Sequence, residues 1–296
     1  MRGEGRISGR GTSSRNSGEG EKIMITNLIL IFKASILGVV EGITEFLPIS
    51  STGHMVIVGK FINFTGEFAT LFEIVIQLGA ILAIVFLFRE KIFNSLKSLK
   101  PSGEGFNLWS KLILAFIPSA ILGLLFHEII EKHLLIPVSV AGSLLVGGLW
   151  MIYAEKKYRK NDTIQDISKV SYKTAFVIGC FQCLSILWPG FSRSAATIIG
   201  GWIMGLSSVA AAEFSFFLAI PTMIAATTFA LIKSEIVLTH IQLLALIVGF
   251  VISFIVALLV VAKFMEFIKT KSLKGFAIYR IILAIIILTL ACFKIV

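Results

Sequence analysis

Charged side chains are scarce in this chain. Asp, Glu, Lys and Arg make up 15% of its 296 residues, whereas soluble domains carry about 25%. Hydrophobic residues reach 56% and the mean hydropathy is +0.94. This composition excludes an ordinary soluble domain and indicates an integral membrane protein that crosses the bilayer several times.

Cysteine is also rare. The three cysteines, Cys180, Cys183 and Cys292, do not form the framework of an extracellular disulfide-rich domain. Cys180 and Cys183 have the Cys-x-x-Cys spacing of some redox and metal sites, but no His or further Cys accompanies them in their apolar segment. We interpret them as small apolar packing residues.

Residues 1–23 lack large apolar side chains almost entirely and are rich in Gly, Ser, Arg and Glu. Such a segment cannot bury enough surface to order itself, and it has no apolar core of the kind that defines a signal peptide. We predict a disordered polar tail before a single membrane domain at 24–296. A start at Met24 would leave that domain intact.

The net charge of +10 could suggest a nucleic-acid partner, but Lys and Arg are confined to the tail and to short loops. The loops at 89–111, 155–173 and 263–275 are basic, whereas those at 131–137 and 233–240 carry one Lys each. This alternation is typical of the positive-inside rule. It predicts no nucleic-acid partner, cytoplasmic basic loops, and both termini on the opposite side.

The apolar segments fall into ten runs from residue 26 onward. They lie at 26–47, 49–63, 69–88, 111–130, 137–154, 172–188, 190–206, 210–231, 241–263 and 276–293. A spanning helix needs about 20 apolar residues, and the runs at 49–63 and 190–206 are shorter and follow proline-containing polar breaks. Because broken helices at membrane depth must be buried or line a cavity, we predict an all-α polytopic membrane protein. It would have six transmembrane helices plus two re-entrant helix-loop-helix hairpins, at 26–63 and 172–206.

The two halves of the chain, about 24–156 and 170–296, resemble each other. A shift of 141 residues places Gly38 on Gly179, Glu41 on Gln182, Pro48 on Pro189 and Ser51 on Ser192, and a shift of 140 places Glu73 on Glu213. Since each half would hold one hairpin and three spans, the second half is expected to be inverted relative to the first. Inverted repeats place their sites near the membrane midplane, where the broken helices meet.

Two motifs carry polar groups into these apolar segments, which makes them candidate functional sites. The first runs from Glu41 to His54 and the second from Pro189 to Thr197. Glu41 and Glu45 are four residues apart and would share one helix face. Paired carboxylates in an apolar setting require a cation, a shared proton or an arginine, and oxygen ligands favour a hard divalent ion, Mg²⁺ or Ca²⁺.

The remaining polar residues of both motifs suit a phosphate group. Hydroxyls and backbone amides at a helix N-terminus bind anions, while an ordinary N-cap would account for a single hydroxyl. Arg193 can grip phosphate with its guanidinium, and His54 can transfer a proton or attack phosphorus. The predicted phosphate-binding residues are Ser50, Thr52, Gly53, Ser192, Ser194 and Thr197.

Four more polar residues lie in apolar segments, namely Glu73, Gln77, Gln182 and Glu213. Each either hydrogen-bonds between helices or supports the site. The sequence leaves both interpretations open.

The two motifs, together with the segments at 72–79, 213–216 and 276–280, resemble the signature segments of the undecaprenyl-diphosphate phosphatases, the bacitracin-resistance family. The resemblance extends from about residue 26 to the C-terminus, although Ala195 replaces a glycine that is frequent in the family. It implies hydrolysis of a lipid-carrier diphosphate at an extracytoplasmic site in the bacterial inner membrane. It also implies catalytic roles for Glu41, Glu45, Ser51, His54 and Arg193.

Several alternatives remain open at this stage. The nucleophile is Ser51, His54 or water, and a homodimer is one of the oligomeric states to be considered. Inverted repeats with broken helices are also the architecture of transporters, so transport of the lipid carrier competes with hydrolysis or accompanies it. A soluble-type acid phosphatase motif is excluded because the chain lacks its Lys-x₆-Arg-Pro signal.

Overall fold

The computed structural model describes the backbone of residues 11–101, 103–160 and 162–293, and the side chains in these ranges other than those of 11–19 and 131–133. These residues form eleven α-helices and no β-strand, with one isolated bridge between Ile164 and Leu206. The helices are α1 (Gly11–Thr44), α2 (Ser51–Phe61), α3 (Glu67–Leu87), α4 (Arg89–Lys97), α5 (Glu104–His133), α6 (Pro137–Tyr158), α7 (Tyr172–Leu187), α8 (Arg193–Ile203), α9 (Ser208–Lys233), α10 (His240–Thr270) and α11 (Lys274–Cys292). The predicted all-α class is confirmed.

Seven helices are long and apolar enough to cross a membrane: α1 from Gly20 onward, α3, α5, α6, α9, α10 and α11. The protein is therefore a multi-pass membrane protein. The count exceeds the expected six because α1 alone reaches spanning length. The helices α2, α7 and α8 have 11, 16 and 11 residues, so the pairs α1–α2 and α7–α8 correspond to the expected hairpins. Their re-entrant course stays a prediction.

The N-terminal segment differs from the expected tail over Gly11–Ile23, where the backbone is already helical. Extending an existing helix fixes one residue for each hydrogen bond, whereas nucleation fixes several. The apolar part of α1 can therefore carry its polar extension. The part of the predicted disordered tail at 1–10 lies outside the described residues.

The first helix of each half packs closely against a long helix of the other half. A Cβ atom added to Gly38 in α1 would lie 2.7 Å from the carbonyl oxygen of Gly249 in α10. A Cβ atom added to Gly179 in α7 would lie 2.1 Å from the carbonyl oxygen of Ala115 in α5. Only glycine allows such backbone contact between helices. The equivalent roles of Gly38 and Gly179 support the repeat inferred from the sequence.

Both halves also break their helices in the same way. Ser50 and Ser192 have positive φ angles of 72° and 74° and act as N-caps of α2 and α8. The Ser50 hydroxyl accepts a hydrogen bond from the Gly53 backbone, and the Ser192 hydroxyl from the Ala195 backbone, each at 3.3 Å. Left-handed backbone is uncommon for residues other than glycine, so its recurrence at two equivalent positions is a feature of the fold.

These caps correct the register of the repeat at the breaks. The shift of 141 residues predicts that Ser51 corresponds to Ser192, but the structure pairs Ser51 with Arg193 as the first residues of α2 and α8. The reason is one additional residue in the second half: Pro48 is separated from its N-cap by one residue and Pro189 by two.

Candidate active site

Glu45 joins the two broken helices. It follows the end of α1 and is 7% exposed. Its Oε2 accepts a hydrogen bond of 2.5 Å from the Ser51 hydroxyl, and its Oε1 accepts one of 3.0 Å from Arg193 Nη2. Since Ser51 begins α2 and Arg193 begins α8, one buried carboxylate connects the N-termini of both half-helices.

The position of these helix ends makes the surroundings of Glu45 attractive to anions. Each helix N-terminus carries a partial positive charge and backbone N–H groups without intrahelical acceptors. The ends of α2 and α8 converge on Glu45 through Ser51 and Arg193. Together with the guanidinium they favour a phosphate group at this point.

Arg193 is held rigidly by three neighbours. Besides Glu45, its Nη1 donates to the Ser215 carbonyl oxygen at 3.0 Å, and the guanidinium lies 5.5 Å from the centre of the Phe46 ring. In the part of the chain that the structure describes, its Nε has no hydrogen-bond partner. A fixed guanidinium whose Nε–H is not engaged by these neighbours is suited to bind an oxyanion.

Glu41 lies beside Glu45, as their helical spacing predicts. Its side chain is 1% exposed, the Glu45 backbone N–H donates to its carbonyl oxygen at 3.0 Å, and Glu73 and Arg193 are further ionisable neighbours. Its Oε1 has no partner among the described atoms. A buried carboxylate oxygen without a partner is costly, so this oxygen is available to a cation or to a bound ligand.

A divalent cation at this site would have few protein ligands. The described residues contain no group of three or more His, Cys, Asp and Glu placed to hold a metal. An ion would have to combine the carboxylates of Glu41 and Glu45 with hydroxyl, backbone or ligand oxygens. All-oxygen coordination is the preference of Mg²⁺ and Ca²⁺, and the unpartnered Glu41 oxygen fits such an ion.

Both ring nitrogens of His54 have hydrogen-bond partners outside the Glu45–Arg193 pair. Its Nδ1 lies 2.7 Å from the Ser50 carbonyl oxygen and its Nε2 lies 2.7 Å from the Tyr279 hydroxyl. Among the described contacts His54 has no hydrogen bond to Ser51 or Glu45. The structure therefore pairs Ser51, rather than His54, with a candidate base.

The predicted phosphate-binding residues of the first loop have different roles. The Ser50 hydroxyl caps α2 and accepts a hydrogen bond of 3.3 Å from the Gly53 backbone N–H. Thr52 is half-buried beside Ser51 in the first turn of α2.

The hydroxyls of the second loop mainly hold the loop together. Ser192 caps α8 and lies 3.0 Å from the Ser194 hydroxyl, which donates to the Leu47 carbonyl at 2.9 Å. The Thr197 hydroxyl donates to the Arg193 carbonyl at 2.9 Å and lies 2.6 Å from the Ser215 hydroxyl. These bonds attach the second loop to the first and fix the turn that carries Arg193.

Two of the four additional polar residues take structural roles. Gln182 is fully buried and donates to the hydroxyls of Ser119 at 2.6 Å and Thr222 at 3.2 Å, which links three helices. Glu213 forms an ion pair of 2.7 Å with Lys91, which also lies 3.8 Å from Asp166. The Ser168 backbone N–H and the nearby lysines hold the pKa of Asp166 below its usual range, against the effect of partial burial.

The other two residues lie on α3. Glu73 is half-buried and is one of the ionisable neighbours of Glu41. Gln77, one turn further along the helix, is also half-buried. Of the four, Glu73 is the residue that the structure brings near the site.

Sequence reasoning missed Arg280 as part of this region. Its side chain is fully buried, and its Nη groups donate to the carbonyls of Phe191 at 2.6 Å and Pro48 at 3.3 Å, one in each loop. A Cβ atom added to Gly147 would lie 2.2 Å from Arg280 Nη2. The sequence did contain a signal for Arg280, because an arginine within an apolar run is a functional candidate by default.

The fold and site define a multi-pass membrane protein in which two half-helices from repeated halves meet at a buried carboxylate–arginine pair suited to an anionic ligand. The chain belongs to the bacitracin resistance protein BacA family, whose model matches residues 34–286. This range contains Glu41, Glu45, Ser51, His54 and Arg193.

Curated relatives match nearly the whole chain. An undecaprenyl-diphosphatase of Thermoanaerobacter sp. (strain X514) is 56% identical over 90% of this chain and 99% of its own length. Undecaprenyl-diphosphatase 2 of Clostridium acetobutylicum is 48% identical over 92% of this chain and 100% of its own. An undecaprenyl-diphosphatase of Clostridium perfringens (strain SM101 / Type A) is 44% identical over 89% of this chain and 98% of its own length.

Proposed function

We propose that this protein hydrolyses undecaprenyl diphosphate to undecaprenyl phosphate and inorganic phosphate. This reaction recycles the lipid carrier of peptidoglycan synthesis and would confer bacitracin resistance. The observation that carries the proposal is the buried chain of contacts from Ser51 through Glu45 to Arg193. It combines a hydroxyl, a base and a phosphate-binding cation at the meeting point of two helix N-termini.

Ser51 is the proposed nucleophile and Glu45 its base. Nucleophiles are activated by a base within hydrogen-bond reach, and these two side chains are 2.5 Å apart. Glu45 takes the hydroxyl proton as Ser51 Oγ bonds to the terminal phosphorus, and the bond from that phosphorus to the bridging oxygen breaks, releasing undecaprenyl phosphate. Water then attacks the phosphoserine and frees inorganic phosphate. Direct attack by water, or attack by His54, are the alternative routes.

Arg193 is proposed to stabilise the phosphoryl group during transfer. Charge spreads over its equatorial oxygens in the transition state, and fixed donors placed there lower the barrier. The free Nε and the first-turn amides of α2 and α8 are the candidate donors.

A divalent cation, Mg²⁺ or Ca²⁺, would be held by Glu41 and Glu45. When bound it would neutralise part of the charge on the diphosphate oxygens. The support is the buried Glu41 oxygen without a partner in the described structure. Glu73 is a third carboxyl group near this position.

The site is proposed to open to the extracytoplasmic side of the bacterial inner membrane. The ion pairs of Lys91 with Glu213 and Asp166 bring the basic loops at 89–111 and 155–173 to the same end of the molecule. Positive loops favour the cytoplasm. A homodimer stays a prediction, which the mass of the purified protein in detergent would test.

Phosphate release by the purified protein in detergent tests the proposal. Undecaprenyl diphosphate should yield inorganic phosphate, and Glu45→Ala or Arg193→Ala should abolish release. Ser110→Ala, which removes a hydroxyl at the Tyr172 contact on α5, is a control that should retain activity. Full activity in either site variant would overturn the assignment.

Labelled substrate distinguishes the routes. A phosphorylated Ser51 trapped by rapid quenching supports the covalent route, whereas phosphorylated His54 would replace Ser51 as nucleophile. Phosphate release in a single turnover without any phosphorylated residue would establish direct hydrolysis.

Lipid-carrier transport is the second candidate function. Its support is the repeated pair of broken helices, which is the architecture of transporters. A transporter without hydrolytic activity would release no phosphate in detergent, where no membrane separates two compartments.

A further inference from the structure

The second ring nitrogen of His54 is held by a residue from the other half of the chain. Tyr279 lies on α11, and its hydroxyl oxygen is 2.7 Å from His54 Nε2. The two rings are stacked, with centroids 5.6 Å apart and planes inclined by 6°. His54 is thus fixed by a hydrogen bond and by contact between rings.

The partners of His54 determine where its protons lie. The Ser50 carbonyl oxygen, 2.7 Å from Nδ1, can only accept a hydrogen bond, so Nδ1 carries a proton. Nε2 of the neutral ring is then an acceptor, and the Tyr279 hydroxyl donates to it. When Nε2 takes up a proton it becomes the donor, and the phenol oxygen accepts. Tyr279 can therefore hold His54 in both protonation states.

The position of Tyr279 is fixed by its neighbour in sequence. Arg280 is fully buried and donates to carbonyls of both loops, those of Pro48 and Phe191. The turn of α11 that carries Tyr279 is thus the turn that is anchored to both loops.

We propose that Tyr279 is a positioning residue for His54, whose Nε2 it holds and whose ring it keeps in a fixed plane during phosphate release. This inference rests on the proposed function, because it assigns His54 a part in that reaction. Tyr279 acts through His54 and has no proposed contact with the phosphate.

Two substitutions separate the contributions of Tyr279. Tyr279→Phe keeps the stacked ring and removes the hydroxyl, while Tyr279→Leu removes both. A matched control is Tyr172→Phe, which deletes a hydroxyl 2.9 Å from the Ser110 hydroxyl at a different place. Loss of one hydrogen bond predicts a kcat lowered about five- to tenfold in Tyr279→Phe. KM should stay unchanged, Tyr279→Leu should lose more, and the control should keep full activity.

Two readouts exclude a merely structural effect. In a His54→Ala background, Tyr279→Phe should have no further effect on kcat. In the ¹⁵N spectrum of histidine-labelled protein, the Nε2 resonance of His54, assigned by its absence in His54→Ala, should move in Tyr279→Phe and stay in place in Tyr172→Phe.

The outcomes distinguish this inference from the proposed function. An unmoved Nε2 resonance, or an equal loss of kcat with and without His54, overturns the role of Tyr279. Full activity of His54→Ala also overturns it, while hydrolysis by Ser51 and Glu45 would stand. If the wild type releases no phosphate, the proposed function fails, and the resonance still reports whether Tyr279 holds His54.

Discussion

The buried ion pair between Glu45 and Arg193 should show strong energetic coupling. Both side chains are nearly inaccessible, at 6% and 10% exposure, and Arg193 Nη2 lies 3.0 Å from Glu45 Oε1. Removing one member of a buried pair leaves the other charge without compensation and costs about 3–5 kcal/mol. We expect Glu45→Gln to fall near the lower value, because Arg193 keeps its hydrogen bond to the Ser215 carbonyl.

A double-mutant cycle measures the coupling. Glu45→Gln, Arg193→Met and the double variant are compared by the free energy of unfolding in mixed micelles. The double variant should be more stable than the sum of the single losses predicts, by about 1–3 kcal/mol. In parallel, each single variant should lower kcat for phosphate release by about 10²–10³-fold, since each removes a group proposed to act on the transferring phosphoryl.

The matched control is a second Arg–Glu pair. Arg159 Nη1 lies 2.5 Å from Glu155 at the C-terminal end of α6. Glu155→Gln and Arg159→Met should destabilise the protein yet leave kcat unchanged below the unfolding temperature. If the losses of unfolding free energy at Glu45 and Arg193 add to within about 0.5 kcal/mol, the two residues act independently. That result would refute the reasoning.

Three further results are expected. Gly179→Ala should lower the free energy of unfolding by about 1–3 kcal/mol because the new Cβ meets backbone atoms. Gly123→Ala, which has open space around the new Cβ, should not destabilise the protein. Equal stability of the two variants would contradict the close contact at Gly179. Arg280→Met should lower kcat and the melting temperature together, since five carbonyl acceptors lose their donor. An unchanged melting temperature would argue against the role of Arg280 in joining the loops. In the wild type, chelation of divalent ions should reduce phosphate release, and added Mg²⁺ or Ca²⁺ should restore it. Glu41→Gln should respond only weakly to the added ion. Activity that persists after chelation would exclude the cation.

The class of the protein and its candidate site residues were accessible from the sequence because both depend on local signals. Apolar runs of spanning length define membrane helices whatever their neighbours, and the cost of a buried charge marks Glu45 and Arg193 without knowledge of their partners. The spacing of Glu41 and Glu45 also predicted their contact, since helical periodicity alone determines it.

The partners of these residues depended on tertiary structure. No periodic pattern relates His54 to Tyr279, which is 225 positions away, and the carbonyls bound by Arg280 carry no side-chain signature. The predicted register of the repeat was wrong at Ser51 because the second loop has one additional residue after Pro189. The helices before and after the two loops still correspond, α1 with α7 and α2 with α8.

Before the proline breaks the shift of 141 residues holds, and there it explains why two similar halves form a single site. Glu45 lies where the second half has Ile186, and Glu41 lies where it has Gln182, whose amide is engaged with Ser119 and Thr222. The second half therefore supplies a helix N-terminus and Arg193 but no acid. Had both halves kept their carboxylates, four buried acids would have repelled one another with too few cations to compensate. With one Glu45 shared between two N-termini, the halves are complementary, and neither can build the site without the other.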